Sequence, residues 1–246
     1  MTAPANRVKV YLSPLPGDFA EEPSMRFRLA YDGELRPTGR DPEAQQRDPL
    51  AVHKQRIRKV FHGQLKQLWQ TNKFLRGQRV SFEELHATPM NLQNSLGIVM
   101  GRPPERMPLS AAIATNTPRL YSYRFVPLVC EVFWLQCNLD ILFLRRDHPP
   151  SVLNAGDLDN RVKTLIDTLR MPKSANELAG HETPADGEDP FFCLLEDDNL
   201  VTGLMVEADT LLDPPLDGDG GSARARVVIS VELKPNDVTM FNLGFA

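Results

Sequence analysis

Residues 157–170 read Asp157-Leu158-Asp159-Asn160-Arg161-Val162-Lys163-Thr164-Leu165-Ile166-Asp167-Thr168-Leu169-Arg170. Leu158, Val162, Leu165, Ile166 and Leu169 recur at helical spacing, which predicts a helix over about Asp159 to Arg170 with one buried stripe. Asp159, Lys163 and Asp167 are spaced four residues apart, along one edge beside that stripe. An aspartate at a helix start often caps it, accepting a free backbone N–H at the positive end of the dipole. Capping explains one of Asp157 and Asp159 but not both. The Asp159, Lys163, Asp167 series by itself also suits a surface ion-pair ladder.

Carboxylates this close repel unless a proton or cation holds them together. A second acidic cluster, Glu196-Asp197-Asp198, follows about forty residues later. The spacing therefore points to a divalent-metal site built from Asp157, Asp159 and one residue of 196–198. Magnesium suits such a set, because it takes a few carboxylates, keeps several waters and accepts substrate phosphate.

Upstream, Asp147-His148-Pro149-Pro150 ends an apolar region, since consecutive prolines neither pair in a sheet nor continue a helix. That region reads as a hairpin, with one strand near Tyr123–Phe133 and a second near Leu135–Leu144. Downstream, residues 172–190 are rich in proline, glycine and acid, and read as an exposed, mobile insertion. Leu200–Ala208 and Ala225–Leu233 are strand-like, with a proline- and glycine-rich turn over 213–222 between them. Arg7–Leu12 and Met25–Tyr31 read as further strands, and residues 33–49 as a loop. A second insertion covers about 76–120, with a short helix near Phe82–Leu85 and a loop over Gly101–Pro118. The order of elements predicts one α+β domain over 1–246, with a mixed or antiparallel sheet, a long helix and the short motif-bearing helix.

The long helix spans about Pro49 to Leu75, with Ile57, Val60, Phe61, Leu65, Leu68 and Leu75 on its apolar face. Residues 54–79 hold eight Lys and Arg and no acid. Lys59, Lys66 and Lys73 recur every seven residues, opposite the apolar stripe. Arg56, Lys59, Lys66, Lys73 and Arg76, with Arg145 and Arg146, are the expected contacts to a DNA phosphate backbone. The chain as a whole is divided in charge. Residues 1–150 carry 21 Lys and Arg against 14 Asp and Glu, and residues 151–246 carry 7 against 18. A basic part that grips phosphate and an acidic part that holds cations suit a nucleic-acid enzyme.

Three scattered cysteines, Cys130, Cys137 and Cys193, supply neither a disulfide framework nor a zinc site, and the five histidines show no metal spacing. No glycine-rich phosphate loop is present, and no serine or cysteine has a recognisable His–Asp arrangement. No leader or membrane-spanning run is legible, which gives a cytoplasmic expectation.

The pattern Asp-Leu-Asp-Asn-x-x-Lys-x-x-x-Asp, followed by an acidic pair that opens a strand, resembles the RusA-type Holliday junction resolvases over about Leu135 to Leu233. The resemblance implies a RusA-like fold and a homodimeric, magnesium-dependent endonuclease that cuts branched DNA such as four-way junctions. By it, Asp157, Asp159 and Asp198 correspond to catalytic metal-binding aspartates, and Lys163 to the lysine needed for cleavage. Asp167 takes a supporting place, and Asp197 is the alternative third ligand. Two other readings are open. One is a RusA-like DNA-binding or assembly module without catalysis. The other is a sugar or nucleotide transferase using Asp-Leu-Asp, whose motif usually ends a buried strand rather than opening a helix.

Overall fold

A computed structural model describes residues 25–38, 50–81, 105–145, 156–181, 183–212, 224–238 and 242–245. The expected strand at Arg7–Leu12, the short helix near Phe82–Leu85 and the turn over 213–222 lie outside these residues. The fold is mixed α+β. Its centre is a four-stranded sheet in the order β1 (Arg26–Glu34), β8 (Arg224–Pro235), β5 (Leu135–Arg145), β7 (Val201–Thr210). β8 runs antiparallel to both β1 and β5, whereas β5 and β7 are parallel. A parallel pair needs a crossover, and the helix carrying the acidic motif lies within it.

Alternation decides which face of the sheet is buried. Leu29 and Tyr31 on β1, the odd-numbered residues Leu135 to Phe143 on β5, and Ala225 to Leu233 on β8 are buried, while their neighbours are partly or fully exposed. One core joins this face to α1 (Ala51–Thr71) and to the motif helix α4 (Gly156–Leu169), through Ile57, Phe61, Leu65, Val162, Leu165 and Leu169. Between α1 and α4 come α2 (Lys73–Gly77), the two-residue strands β2 (Arg79–Val80) and β3 (Met107–Pro108), α3 (Leu109–Asn116) and β4 (Phe125–Val129).

Three expectations are corrected and a fourth is amended. The apolar region is not a hairpin: β4 pairs in parallel with β6 (Phe191–Leu195), not with β5. A 3-10 turn over Glu131–Phe133 and Trp134 in a left-handed conformation swing the chain out of β4 before β5 begins. All five residues of β4 are buried, which suits a strand covered on both faces better than one arm of an open hairpin. The long helix stops at Thr71, where Asn72 adopts an extended conformation and caps α2 by accepting the Leu75 N–H, so Lys73 belongs to a separate helix. Part of the expected loop over Gly101–Pro118 is the helix α3. Residues 172–190 are exposed over much of their described length, as expected, but Leu178 anchors them, fully buried in a small second cluster with Tyr123, Phe125, Phe191 and Cys193.

Candidate functional site

α4 is the next described element after β5 and carries Asp157, Asp159, Lys163 and Asp167. Asp157 lies in its first turn. Asp159 and Lys163 are both exposed, one turn apart, and neither has a hydrogen-bond or ion-pair partner among the described residues. Further along the same edge Asp167 behaves differently. Its carboxylate accepts the Lys54 ammonium at 2.8 Å and lies 3.6 Å from the Arg170 guanidinium, and all three side chains are at least 87 % covered.

The two ends of α4 can be placed against the sheet. β1, β8 and β5 share an upper end, because Glu34 pairs with Arg224 and Ala225 with Arg145. The segment just past β1 bonds to the first half of α4. The Thr38 N–H donates to the Asn160 carbonyl at 3.4 Å, the Thr38 and Thr164 hydroxyls are 2.8 Å apart, and Arg161 donates to the Leu35 carbonyl. The start of α4 therefore faces the upper end. Its last turn meets β6, where the Met171 N–H donates to the Leu195 carbonyl at 2.8 Å.

The acidic pair follows β6 directly and leads into β7, whose first residue, Val201, pairs with Cys137 near the lower end of β5. Lys173 spans both carboxylates, at 2.7 Å from Asp197 and 3.0 Å from Asp198. That ammonium is the main reason the Asp197 carboxyl is held down to about 2, with the Asn199 N–H adding to it, and the Lys173 pKa is raised in turn. Asp198 is thus grouped with the end of α4 opposite Asp159. Eleven residues separate Asp159 from Arg170, about 16 Å along a helix axis. Among the described residues of one chain, no three His, Cys, Asp or Glu side chains lie together as a metal cluster. A three-carboxylate magnesium site is not assembled by what is described of one copy.

The basic helix is largely occupied from within. Lys54 is buried against Asp167. Arg58, 1 % exposed, donates to the Glu177 carboxylate and carbonyl at 2.9 Å and to the Asp167 carbonyl at 3.1 Å. Burial lowers the Arg58 pKa and the Glu177 carboxylate opposes that shift. Lys59 pairs with Glu188 at 2.9 Å, and Lys66 donates to the Gly187 carbonyl at 2.6 Å. Arg56, Lys73 and Arg76 are exposed, Arg145 is partly exposed, and Arg146 lies outside the described residues. The inward cations were readable: Lys54, Arg58, Phe61 and Leu65 follow one another at four, three and four residues, on the apolar stripe itself.

Two of the five histidines take structural places that the sequence did not show. His53 and His62 are buried, and each accepts a backbone N–H. His53 Nε2 takes that of Arg36 at 3.2 Å, and His62 Nδ1 that of Phe192 at 2.9 Å. Desolvation lowers both pKa values, so the neutral rings are the structural forms. All three cysteines are free and buried, and burial pushes the thiols of Cys137 and Cys193 up to about 12. Among the described residues no helix is long and apolar enough to cross a membrane. Comparison with family models, with curated proteins and with solved structures finds no match to this chain.

Proposed function

We propose that this chain is a magnesium-dependent, structure-selective endodeoxyribonuclease of the RusA type. It hydrolyses phosphodiesters in branched DNA, four-way junctions among them, as a cytoplasmic homodimer in recombination and repair. One observation carries the reading: Asp159 and Lys163 stand exposed on consecutive turns at the start of α4, unpaired among the described residues, while Asp167 on the same edge is neutralised by Lys54 and Arg170. Stability explains the paired aspartate and leaves the unpaired acid and base without a structural task. Bound magnesium would neutralise phosphodiester charge and activate water. Asp157, Asp159 and Asp198 are the residues to hold it. Lys163 presents a cation one turn from Asp159, suited to a developing negative charge. Arg56, Lys73 and Arg76 remain the most available contacts to the DNA backbone, because Lys59 and Lys66 are held by residues 187–188.

The test is cleavage of labelled four-way, forked and linear DNA with magnesium and with chelator. Metal-dependent cutting of branched DNA, lost in Asp157→Asn and Asp159→Asn, supports the reading. A DNA-binding or assembly module without catalysis is the second reading, favoured by the hold of Lys173 on Asp197 and Asp198. It predicts junction binding without cleavage, indifferent to both substitutions.

A further inference from the structure

Two sets of cations on α1 are neutralised in different ways. Lys54 and Arg58 face inward and meet Asp167 and Glu177, with lysine and arginine side chains only 7 % and 1 % exposed. Lys59, His62 and Lys66, spaced three and four residues apart, form another stripe, and all three meet residues 187–188. The Glu188 carboxylate accepts the Lys59 ammonium at 2.9 Å. The Gly187 carbonyl accepts the Lys66 ammonium at 2.6 Å and the His62 Nε2–H at 3.3 Å, the other ring nitrogen being taken by the Phe192 N–H. A carboxylate and a carbonyl thus present oxygens to two ammonium groups and an imidazole, as phosphodiester oxygens do. Glycine suits position 187: its φ is 79°, and a Cβ there would lie 3.4 Å from Lys66 Nζ.

The segment that carries these oxygens is held by charge and hydrogen bonds, without apolar burial. Residues 183–190 include three acids, Asp186, Glu188 and Asp189, and no Lys or Arg. Between Leu178 and Phe191 no described residue is buried. A segment with so little buried apolar surface opens at low cost. It forms a turn of its own, in which the Glu188 N–H donates to the Ala185 carbonyl and the Ala185 N–H to Glu188 Oε2, both at 3.0 Å. A second hold lies away from the lysines. Arg124 donates to both Asp189 oxygens, at 2.9 and 2.8 Å, and the Tyr123 hydroxyl to the Thr183 carbonyl at 3.2 Å. Exposed ion pairs are individually weak and screened by salt, so a ligand bringing many negative charges displaces them. Exposed cations extend the stripe at both ends: Arg56 lies one turn before Lys59, and Lys73 and Arg76 follow Lys66. A phosphate backbone that follows them crosses the place that residues 187–188 hold.

We infer that residues 183–190 are an acidic strap over a phosphate-binding stripe of α1, formed by Lys59, His62 and Lys66, and that DNA binds there by displacing the strap. The strap is an intramolecular competitor. It yields to a backbone that engages Arg56, Lys73 and Arg76 as well, and it withholds two lysines from weaker anions. The inference rests on the DNA-binding half of the reading above and is indifferent to cleavage.

Binding of labelled four-way junction DNA to the full chain, measured by fluorescence anisotropy at low salt with chelator, tests the strap. Asp186→Asn, Glu188→Gln removes two of its acids and keeps Asp189 on Arg124. This variant should bind about three- to tenfold tighter than wild type, the worth of one or two exposed ion pairs. Asp140→Asn, Asp237→Asn makes the same change in charge at exposed positions elsewhere and should gain little. Gly187→Ala changes no charge but sets a Cβ on a left-handed backbone beside Lys66, and it should tighten binding as well. Lys59→Gln, Lys66→Gln should weaken binding more in the strap variant than in wild type, where those lysines must first leave the strap. In the wild-type complex the amides of Ala185 and Glu188 should exchange with deuterium faster than in the free protein. A strap variant that gains no more than the charge-matched control, or strap amides that DNA slows or leaves unchanged, overturns the inference. Magnesium-dependent cleavage without a strap effect leaves the nuclease reading and removes the strap. Tighter binding by the strap variant without cleavage leaves the strap and removes the nuclease. A chain that binds DNA in none of these forms overturns both.

Discussion

The two ends of α4 carry the same residue types in opposite circumstances. At the first end, Asp159 and Lys163 are exposed with no partner among the described residues; at the second, Asp167 and Arg170 are covered and joined to Lys54, Arg58 and Glu177. One stretch of regular spacing therefore does two jobs. Where α1 and residues 172–178 pack against α4, acid and base neutralise each other inside the protein. Where nothing described covers them, the same groups keep their charge for something else. Position in the fold, not residue type, separates the two.

The largest expected effect breaks the covered end. Arg58→Met takes away one of the two guanidinium partners of Glu177 and leaves Arg170 at 3.1 Å; loss of one partner of a buried pair costs up to about 3–5 kcal/mol. A urea melt should show that loss, with Glu177→Gln restoring part of it in the double variant. At the exposed end the expectation is reversed. Asp159→Asn should lower magnesium-dependent cleavage on the order of a hundredfold to a thousandfold, while stability moves by no more than about 0.5 kcal/mol. If Asp159→Asn unfolds the protein as Arg58→Met does, the contrast between the ends is wrong.

A smaller effect concerns pH. His53 and His62 have lowered folded pKa values, so the unfolded chain takes up protons first as pH falls. Their contribution is complete above the unfolded value near 6.5 and declines as pH drops from there toward the folded values. Arg36, Arg56 and Glu34 face His53, and Lys66 and Glu188 face His62. The carboxylates with lowered pKa values, Asp32, Glu34, Asp197 and Glu188, stay ionised through this window. The melting temperature should fall between pH 7 and 5.5, and a His53→Gln, His62→Gln variant should flatten that slope. The smallest effect is expected where Lys59 meets Glu188, a pair with the lysine still 36 % exposed. Glu188→Gln should cost about 0.2–1 kcal/mol and should strengthen DNA binding at low salt by releasing one cation of α1.

Much of this was legible along the chain. The motif helix, both later strands and the long helix up to Thr71 follow from periodicity, because a helix or strand shows its buried face as local spacing. The hairpin misreading of 123–144 has a different origin. β4 and β6 are partners separated by more than sixty residues, and a short, wholly apolar strand carries no mark of which strand it joins. The basic helix misled for a related reason. Its cations find Asp167, Glu177 and Glu188 more than a hundred residues away, and composition within 54–79 cannot show partners from elsewhere.

The chain by itself determined an α+β composition, a helix opened by two aspartates with a lysine a turn later, and an acidic pair ahead of a strand. Those features are local, set by neighbours three or four residues apart. Only the tertiary structure decided which charges are neutralised and which remain, because that depends on what packs against each turn. It also set Asp198 at the far end of α4 from Asp159, since a helix in a parallel crossover returns the chain to the opposite end of the sheet. Residue spacing specifies a face; the crossover specifies an end.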